Sequence, residues 1–440
     1  MTGIALALAV CVLYGLSATM LDRASITAPI VLVTCGIVLG DGGFKVLHVS
    51  AGADSIKVLA EITLAVLLFA DASTIPLREA EEEIDLAGRL LGIGLPLTMA
   101  LGTLVAHVLF PINWAQAALL SCILAPTDAA LGLAVVTSTA VPARIRRALN
   151  IESGLNDGIA TPFVVFFLAV VGAEASGERW VATAVRAIVV AVVFGATLGW
   201  VTGRLAEKAR RAKWTTAATD TLVVLSVALL SYEAALALEA NGFVSSFVAG
   251  AVFSTASTGS TASRGHGREP MEFTEDVGLF LSFAVWVIFG ALFAGPVLRA
   301  GVHLRPVVYA LLSLTLIRLV PVALAMVGAR LRRDTVGFVG WFGPRGLASV
   351  VFTLLAFEEL GGSPEAHRLA EVTTWTILLS VFAHGLSAGP LARRYGARVA
   401  RAPVGTAELA AAPEAATRRR ALEDRRPDPD RSRKPTSDDG

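Results

Sequence analysis

The chain has 440 residues, of which 55% are hydrophobic and only 17% are charged. Soluble domains carry about 25% charged residues, so this composition excludes a soluble protein. The net charge of +1 gives no sign of a nucleic-acid partner. The three cysteines, Cys11, Cys35 and Cys122, lie inside apolar runs at no metal-like spacing.

The apolar runs predict an all-α polytopic membrane protein with about 13 transmembrane helices. In chain order they lie near residues 2–20, 27–41, 54–75, 88–110, 113–139, 149–172, 179–204, 216–236, 239–256, 273–296, 304–328, 334–358 and 369–393. Arginine and lysine concentrate in the loops that follow odd-numbered runs, which by the positive-inside rule are cytoplasmic. The N-terminus is therefore predicted outside the cell membrane and the C-terminus inside.

The composition changes after about Ala397, where Pro, Arg and Asp become frequent and large apolar residues become rare. This pattern predicts that residues 397–440 form a disordered cytoplasmic tail. The transmembrane domain is then predicted to comprise residues 1–396.

Two of the apolar runs are interrupted by proline. The fifth is broken at Ala125 to Thr127, directly before Asp128, and the twelfth at Gly343 to Gly346, which includes Arg345. Runs seven apart cross the bilayer in opposite directions, which fits an inverted repeat of runs one to six against eight to thirteen. In transporters built this way the binding site lies at the midplane between the broken helices. A pair of simple proline kinks is the plainer interpretation.

Ionisable residues inside apolar runs are costly and usually mark a pathway. They are Glu61, Asp71, Asp128, Glu152, Asp157, Arg186, Asp220, Glu233, Arg318, Arg345 and His384. Asp220 and Glu233 lie near the ends of runs and are interpreted as interfacial, and His384 as a packed or interfacial residue.

The sixth run opens with NIESGLNDGIATP, which places two polar stripes on one helix. Ser153, Asp157 and Thr161 share one face. Glu152 and Asn156 share another, from which Glu152 is suited to pair with Arg345. Arg345 can instead offset the negative end of a broken helix. Interfacial capping by the first charges of the run is the plainer alternative.

These motifs together resemble the cation/proton antiporter superfamily, in its sodium/proton exchanger branch of the NhaP type. The matching residues are Thr127-Asp128, Glu152-Ser153, Asn156-Asp157, Gly343, Arg345 and Gly346, with weaker matches in LLFADAS (67–73), NGFVSSFVAGAVFS (241–254) and Arg318. The resemblance implies an NhaA-like fold with two crossing broken helices. It also implies a homodimer in which core and dimerisation subdomains are interleaved along the chain.

The resemblance also implies residue roles. Asp157 is the central cation- and proton-binding carboxylate, with Asp128, Thr127 and Ser153 as further groups of a Na+ site. Glu152 and Arg345 form a structural ion pair, and Arg318 is a supporting residue. Asn156 stands where electrogenic relatives carry a second aspartate, which implies electroneutral exchange. Members of this branch often carry Glu at the position of Asp71, so the shorter side chain here implies contact through water.

The predicted function is exchange of Na+, or Li+, for H+, in the service of pH homeostasis and without a cofactor. K+/H+ exchange on the same fold is an alternative, because oxygen ligands do not separate the alkali cations. A cation channel is a weaker alternative, since a channel filter usually needs a ring of equivalent groups. Neither an HExxH nor a suitably placed GxSxG motif occurs, and no base stands beside Ser153, so an enzyme is not expected.

Overall fold

The computed structural model describes residues 2–47, 54–74, 84–128, 131, 133–174, 180–257, 269–403 and 406–409. Within these ranges every regular element is a helix, which confirms the predicted all-α class. The helices are α1 (Thr2–Arg23), α2 (Ala28–Leu39), α3 (Asp54–Thr74), α4 (Ile84–Arg89), α5 (Leu95–Leu109), α6 (Trp114–Leu124), α7 (Leu133–Val136), α8 (Ala143–Glu174), α9 (Trp180–Arg211), α10 (Ala217–Ala237), α11 (Gly242–Ser257), α12 (Glu269–Phe289), α13 (Gly295–Ala300), α14 (Leu304–Leu314), α15 (Leu316–Ala325), α16 (Arg333–Trp341), α17 (Leu347–Glu359) and α18 (Pro364–Val399).

Some of the predicted apolar runs form one helix in the structure, and others form two consecutive helices. Two π-helical segments, Leu90–Gly94 and Gly290–Ala294, join α4 to α5 and α12 to α13. By length and composition, seven helical segments of the described residues are long and apolar enough to cross a membrane. They are Asp85–Leu109, Ala143–Gly172, Ala182–Arg211, Ala217–Ala237, Met271–Ala300, Leu304–Ala325 and Pro364–Val399. The full number of 13 spans stays a prediction.

Helix α11 packs closely between α9 and α3, and small residues make this possible. A Cβ atom on Gly199 of α9 would lie 2.4 Å from the carbonyl oxygen of Ala249. On its other side, a Cβ on Gly250 of α11 would lie 2.3 Å from the carbonyl oxygen of Phe69. Both distances are shorter than a van der Waals contact, so glycine is required where these backbones touch. This packing fixes the position of α3, which carries Asp71, against α11.

The two predicted helix breaks are both present, and they touch each other. Helix α6 ends at Leu124 and α17 begins at Leu347, with non-helical backbone beside each end. Between them, the backbone N–H of Asp128 donates to the carbonyl oxygen of Pro344 at 2.8 Å. The breaks are therefore a paired structural feature, and two independent proline kinks do not describe them.

The predicted boundary between membrane domain and tail is wrong in detail. Helix α18 continues to Val399, and the turn Ala407–Leu409 docks on the helical domain. Glu408 is 1% exposed, and its Oε1 accepts hydrogen bonds from the N–H of Arg332 at 2.7 Å and the hydroxyl of Thr335 at 2.8 Å. A carboxylate is favourable there because Arg332 precedes the positive N-terminus of α16. The predicted disorder of residues 410–440 lies outside the described residues.

Replacement of Glu408 is expected to destabilise the protein. The Glu408→Ala variant leaves the buried N–H of Arg332 and the hydroxyl of Thr335 without their acceptor. Loss of hydrogen bonds to a charged group costs about 1–3 kcal/mol, so the melting temperature in detergent should fall. Leu409→Ala is the control, since that side chain is 47% exposed on the same turn. Equal melting temperatures for the two variants would show that the docked turn contributes nothing.

Candidate functional site

Helix α8 holds the first break in place through Thr127. The hydroxyl of Ser153 donates to the carbonyl oxygen of Thr127 at 2.8 Å. The side-chain amide of Asn156 donates to the same carbonyl at 3.1 Å and to the Thr127 hydroxyl oxygen at 2.6 Å. Pro126 prevents a continuous helix here, so the freed carbonyl needs donors from elsewhere. The structure thus brings Thr127, Ser153 and Asn156 together.

Asp128 links the first break to the start of α17. Its Oδ2 accepts a hydrogen bond from the N–H of Leu347 at 3.2 Å, at the positive end of that half-helix. A Cβ on Gly346 would lie 2.2 Å from this oxygen, so the approach requires glycine. Asp128 therefore acts as a cap across the crossing in addition to any contact with a cation.

Two carboxyl groups lie within electrostatic range of a third, that of Asp157, beside the two helix breaks. They come from different elements: Asp157 from α8, Asp128 from the first break and Asp71 from α3. All three are partly exposed, whereas Thr127, Ser153 and Asn156 are buried. The carboxylates are thus less enclosed than the hydrogen-bonded groups beside them.

The described residues contain no group of three Asp, Glu, His or Cys side chains close enough together to hold a metal ion. Ser153 gives its hydrogen to Thr127, so its oxygen lone pairs are what it can offer a cation. Thr161, placed by the sequence on the same stripe, is fully buried and donates to the carbonyl oxygen of Asp157 at 2.7 Å. It supports the helix and does not extend the site.

The predicted ion pair between Glu152 and Arg345 is wrong. Glu152 instead bonds Arg318 of α15, whose Nη2 lies 2.7 Å from Oε1 and 2.8 Å from Oε2. Both side chains are at most 2% exposed. A Cβ on Gly343 would lie 2.5 Å from the Arg318 Nε, so the absent side chain at Gly343 makes room for the guanidinium group. The sequence marked Arg318 as an intramembrane charge, but its partner lies 166 residues away.

Arg345 takes the other role that the sequence allowed, at the negative end of a helix. Its Nη1 donates to the carbonyl oxygen of Ala125 at 3.0 Å, and its Nη2 to that of Ser313 at 3.2 Å. Ala125 caps the C-terminus of α6, and Ser313 lies in the last turn of α14. A cation is favourable at both places because helix C-termini carry partial negative charge.

Three hydroxyl and imidazole groups near the crossing were not singled out by the sequence as site residues. Ser349 donates to the carbonyl oxygen of Ile123 at 2.7 Å. Ser380 accepts from the backbone N–H of Arg345 at 2.6 Å, and His384 lies next to Ser380. Their signal in the sequence is weak, namely small polar residues in otherwise apolar runs.

A double-mutant cycle distinguishes the two pairings of Glu152. Arg318→Leu leaves a buried carboxylate without its partner, a loss that costs about 3–5 kcal/mol. Adding Glu152→Leu removes the stranded charge, so the double variant should regain much of the thermal stability in detergent. The matched cycle with Arg345→Leu and Glu152→Leu should show no such recovery. Recovery in the Arg345 cycle alone would contradict the observed pairing.

Comparison with known proteins gives relatives of one kind. The chain is 25% identical over 313 residues to the K(+)/H(+) antiporter NhaP2 of Shewanella sp. (strain MR-4), which is 68% of this chain and 51% of that protein. It is 23% identical over 393 residues to the K(+)/H(+) antiporter NhaP of Alkalimonas amylolytica, which is 88% of this chain and 66% of the relative. The chain thus spans about half the length of the Shewanella protein.

The fold also has a solved counterpart. The sodium proton antiporter MjNhaP1 from Methanocaldococcus jannaschii superposes with a TM-score of 0.73 over 89% of this chain and 98% of that one. The two sequences are 20% identical, so this likeness shows a shared fold. The family described as "Sodium/hydrogen exchanger, transmembrane" matches residues 6–394. Because that match covers most of its length, the chain belongs to the sodium/hydrogen exchanger family.

Proposed function

We propose that this chain is a secondary active antiporter that exchanges a monovalent cation for a proton at Asp157. The observation that carries the proposal is the grouping of Asp157, Asp128 and Asp71 beside two crossing helix breaks. Carboxyl groups that come together inside a membrane protein usually mark a path for cations or protons. Membership of the sodium/hydrogen exchanger family supports the same activity.

Competition at one carboxylate couples the two fluxes. Asp157 binds either a proton or a cation, so protonation releases the cation and cation binding displaces the proton. The empty, charged site is expensive to carry through a medium of low dielectric constant, whereas either loaded form is closer to neutral. Only loaded forms then change their access from one side of the membrane to the other. The protein therefore exchanges ions and does not conduct them.

The remaining site residues complete the cation's oxygen environment. Asp128 contributes a carboxylate that α17 already holds in place. Ser153 contributes its hydroxyl oxygen, and Thr127 its freed carbonyl and its hydroxyl oxygen. Asp71 approaches from α3 and acts through water because its side chain is short. Hard alkali cations favour ligands of this kind.

The proposed cation is Na+, with K+ as the alternative. MjNhaP1 is described as a sodium proton antiporter, and the Shewanella and Alkalimonas relatives as K(+)/H(+) antiporters. The proposal includes a homodimer in the cell membrane, with its N-terminus outside and its C-terminus in the cytoplasm. The transported ions are its substrates, and neither catalysis nor a cofactor is involved.

The central carboxylate is tested by Asp157→Asn in proteoliposomes. With an imposed pH gradient, wild-type protein should dissipate the gradient on addition of Na+, Li+ or K+, and the response identifies the cation. The variant should fall to the rate of protein-free vesicles, because a neutral amide cannot exchange a proton for a cation.

The control is Asp220→Asn, which changes an aspartate on a different helix, α10. Asp220 bonds Arg210 at 3.0 Å at the end of α9. This variant should retain exchange once corrected for the amount of folded protein. Normal exchange by Asp157→Asn would refute the proposed site, and dissipation without any added cation would indicate a channel or a leak.

Electroneutral exchange is tested at Asn156. Asn156→Asp adds a negative charge and also loses the amide donor to Thr127, whereas Asn156→Ala loses the donor alone. Both variants should exchange more slowly than wild type, because the first break loses support. Only Asn156→Asp should become sensitive to a voltage imposed with K+ and valinomycin when Na+ is the test cation. Equal insensitivity of both variants would remove the basis for assigning 1:1 stoichiometry to Asn156.

A further inference from the structure

Helix α18 places two buried polar residues against the break between α16 and α17. Ser380 and His384 are both fully buried and lie one helical turn apart. The Ser380 Oγ accepts a hydrogen bond from the backbone N–H of Arg345 at 2.6 Å. The His384 Nε2 lies 2.9 Å from the carbonyl oxygen of Trp341, the last residue of α16. The pair thus touches both sides of the break.

A hydrogen-bond chain can be drawn through Ser380 and His384, from one side of the break to the other. The Trp341 carbonyl can only accept, so the His384 Nε2 must carry a hydrogen. In a neutral imidazole the Nδ1 is then an acceptor; it lies 3.2 Å from the Ser380 Oγ, which can donate to it, and 3.1 Å from the Ser380 carbonyl oxygen, which cannot. The chain runs from the Arg345 N–H through the Ser380 hydroxyl and the imidazole to the Trp341 carbonyl. It gives a partner to the Arg345 N–H and adds a second donor to the Trp341 carbonyl, which also accepts from the backbone N–H of Gly343 at 2.9 Å.

This hydrogen-bond chain is connected to the candidate cation site by a single peptide group, the one between Pro344 and Arg345. The N–H of Arg345 and the C=O of Pro344 belong to the same planar peptide unit, which rotates as one body. The N–H of this peptide unit donates to the Ser380 hydroxyl oxygen. Its carbonyl oxygen accepts a hydrogen bond from the backbone N–H of Asp128 at 2.8 Å. The orientation that Ser380 gives to this unit therefore determines where the backbone of Asp128 is held.

We propose that Ser380 and His384 are positioning residues that set the location of Asp128 through the Pro344–Arg345 peptide group. This inference rests on the proposed cation site. Neither residue contacts the cation in this scheme. Their loss lets the peptide unit turn, shifts Asp128 relative to Asp157 and weakens cation binding more than it slows the exchange cycle.

The first test is Ser380→Ala in proteoliposomes, with Na+ and, in parallel, K+ titrated against the rate of proton release. The half-saturating concentration should rise on the order of tenfold, as expected for the loss of one buried hydrogen bond, while the maximal rate changes less. Ser380→Cys is a second variant of nearly the same size whose sulfur is a weak acceptor, and it should shift in the same direction.

Two variants at His384 separate the hydrogen bond from simple packing. His384→Gln keeps a donor for the Trp341 carbonyl, whereas His384→Leu fills space without one. The Gln variant should have a half-saturating concentration closer to wild type than the Leu variant. A purely structural role predicts instead that both change only the yield of folded protein and its melting temperature.

Matched controls lie on the same helix. Thr376→Val removes a buried hydroxyl one turn before Ser380 that donates to the carbonyl oxygen of Val372 in α18 itself. Ser387→Ala removes the acceptor of the Trp341 indole N–H at 3.1 Å and leaves the backbone of the break untouched. Both should keep the wild-type half-saturating concentration.

The outcomes separate the two levels of the proposal. Wild-type half-saturation in Ser380→Ala and Ser380→Cys, with Asp157→Asn inactive, would overturn the positioning role and leave the cation site standing. An equal shift in Thr376→Val would also overturn it, since any buried hydroxyl of α18 would then serve. Normal exchange by Asp157→Asn would overturn the cation site and the positioning role together.

Discussion

Backbone groups released at membrane depth must find partners inside the protein, because lipid supplies none. The rest of the site depends on how this protein meets that constraint at its two helix breaks. Side chains of α8 donate hydrogen bonds to the carbonyl oxygen of Thr127, and the Arg345 side chain donates to the carbonyl oxygen of Ala125. The two breaks also bond each other, because the backbone N–H of Asp128 donates to the carbonyl oxygen of Pro344. Polar side chains of α8 and of the second break are thus bonded to backbone groups of the first break.

Charge inside the molecule is arranged by the same requirement. Arg318 balances Glu152 directly, whereas Arg345 balances the negative ends of α6 and α14. Asp157 lies within electrostatic range of Asp128 and Asp71, so the fold also brings carboxyl groups together beside these arginines' helix ends.

Hydrogen bonds from other segments reach the broken twelfth run at three places. Glu408 and Thr335 secure the start of α16, α18 contacts its end, and Asp128 caps α17. The turn Ala407–Leu409 is thereby connected to the second break through one short helix, α16.

Features that arise from local chemistry could be predicted from the sequence. Proline predicted both breaks, apolar runs predicted the helices, and four-residue spacing put Ser153 and Asp157 on one face of α8. The partner of each buried charge depends instead on how distant segments pack. Arg318 and Arg345 are the same residue type, yet Arg318 bonds Glu152 and Arg345 bonds helix ends, because α15 lies beside Glu152 whereas the second break lies beside the C-terminus of α6. The sequence showed His384 as an ionisable residue of an apolar run but not its partners or those of Ser380, since a hydrogen bond to the backbone of a distant segment depends on packing and has no periodic pattern in the sequence.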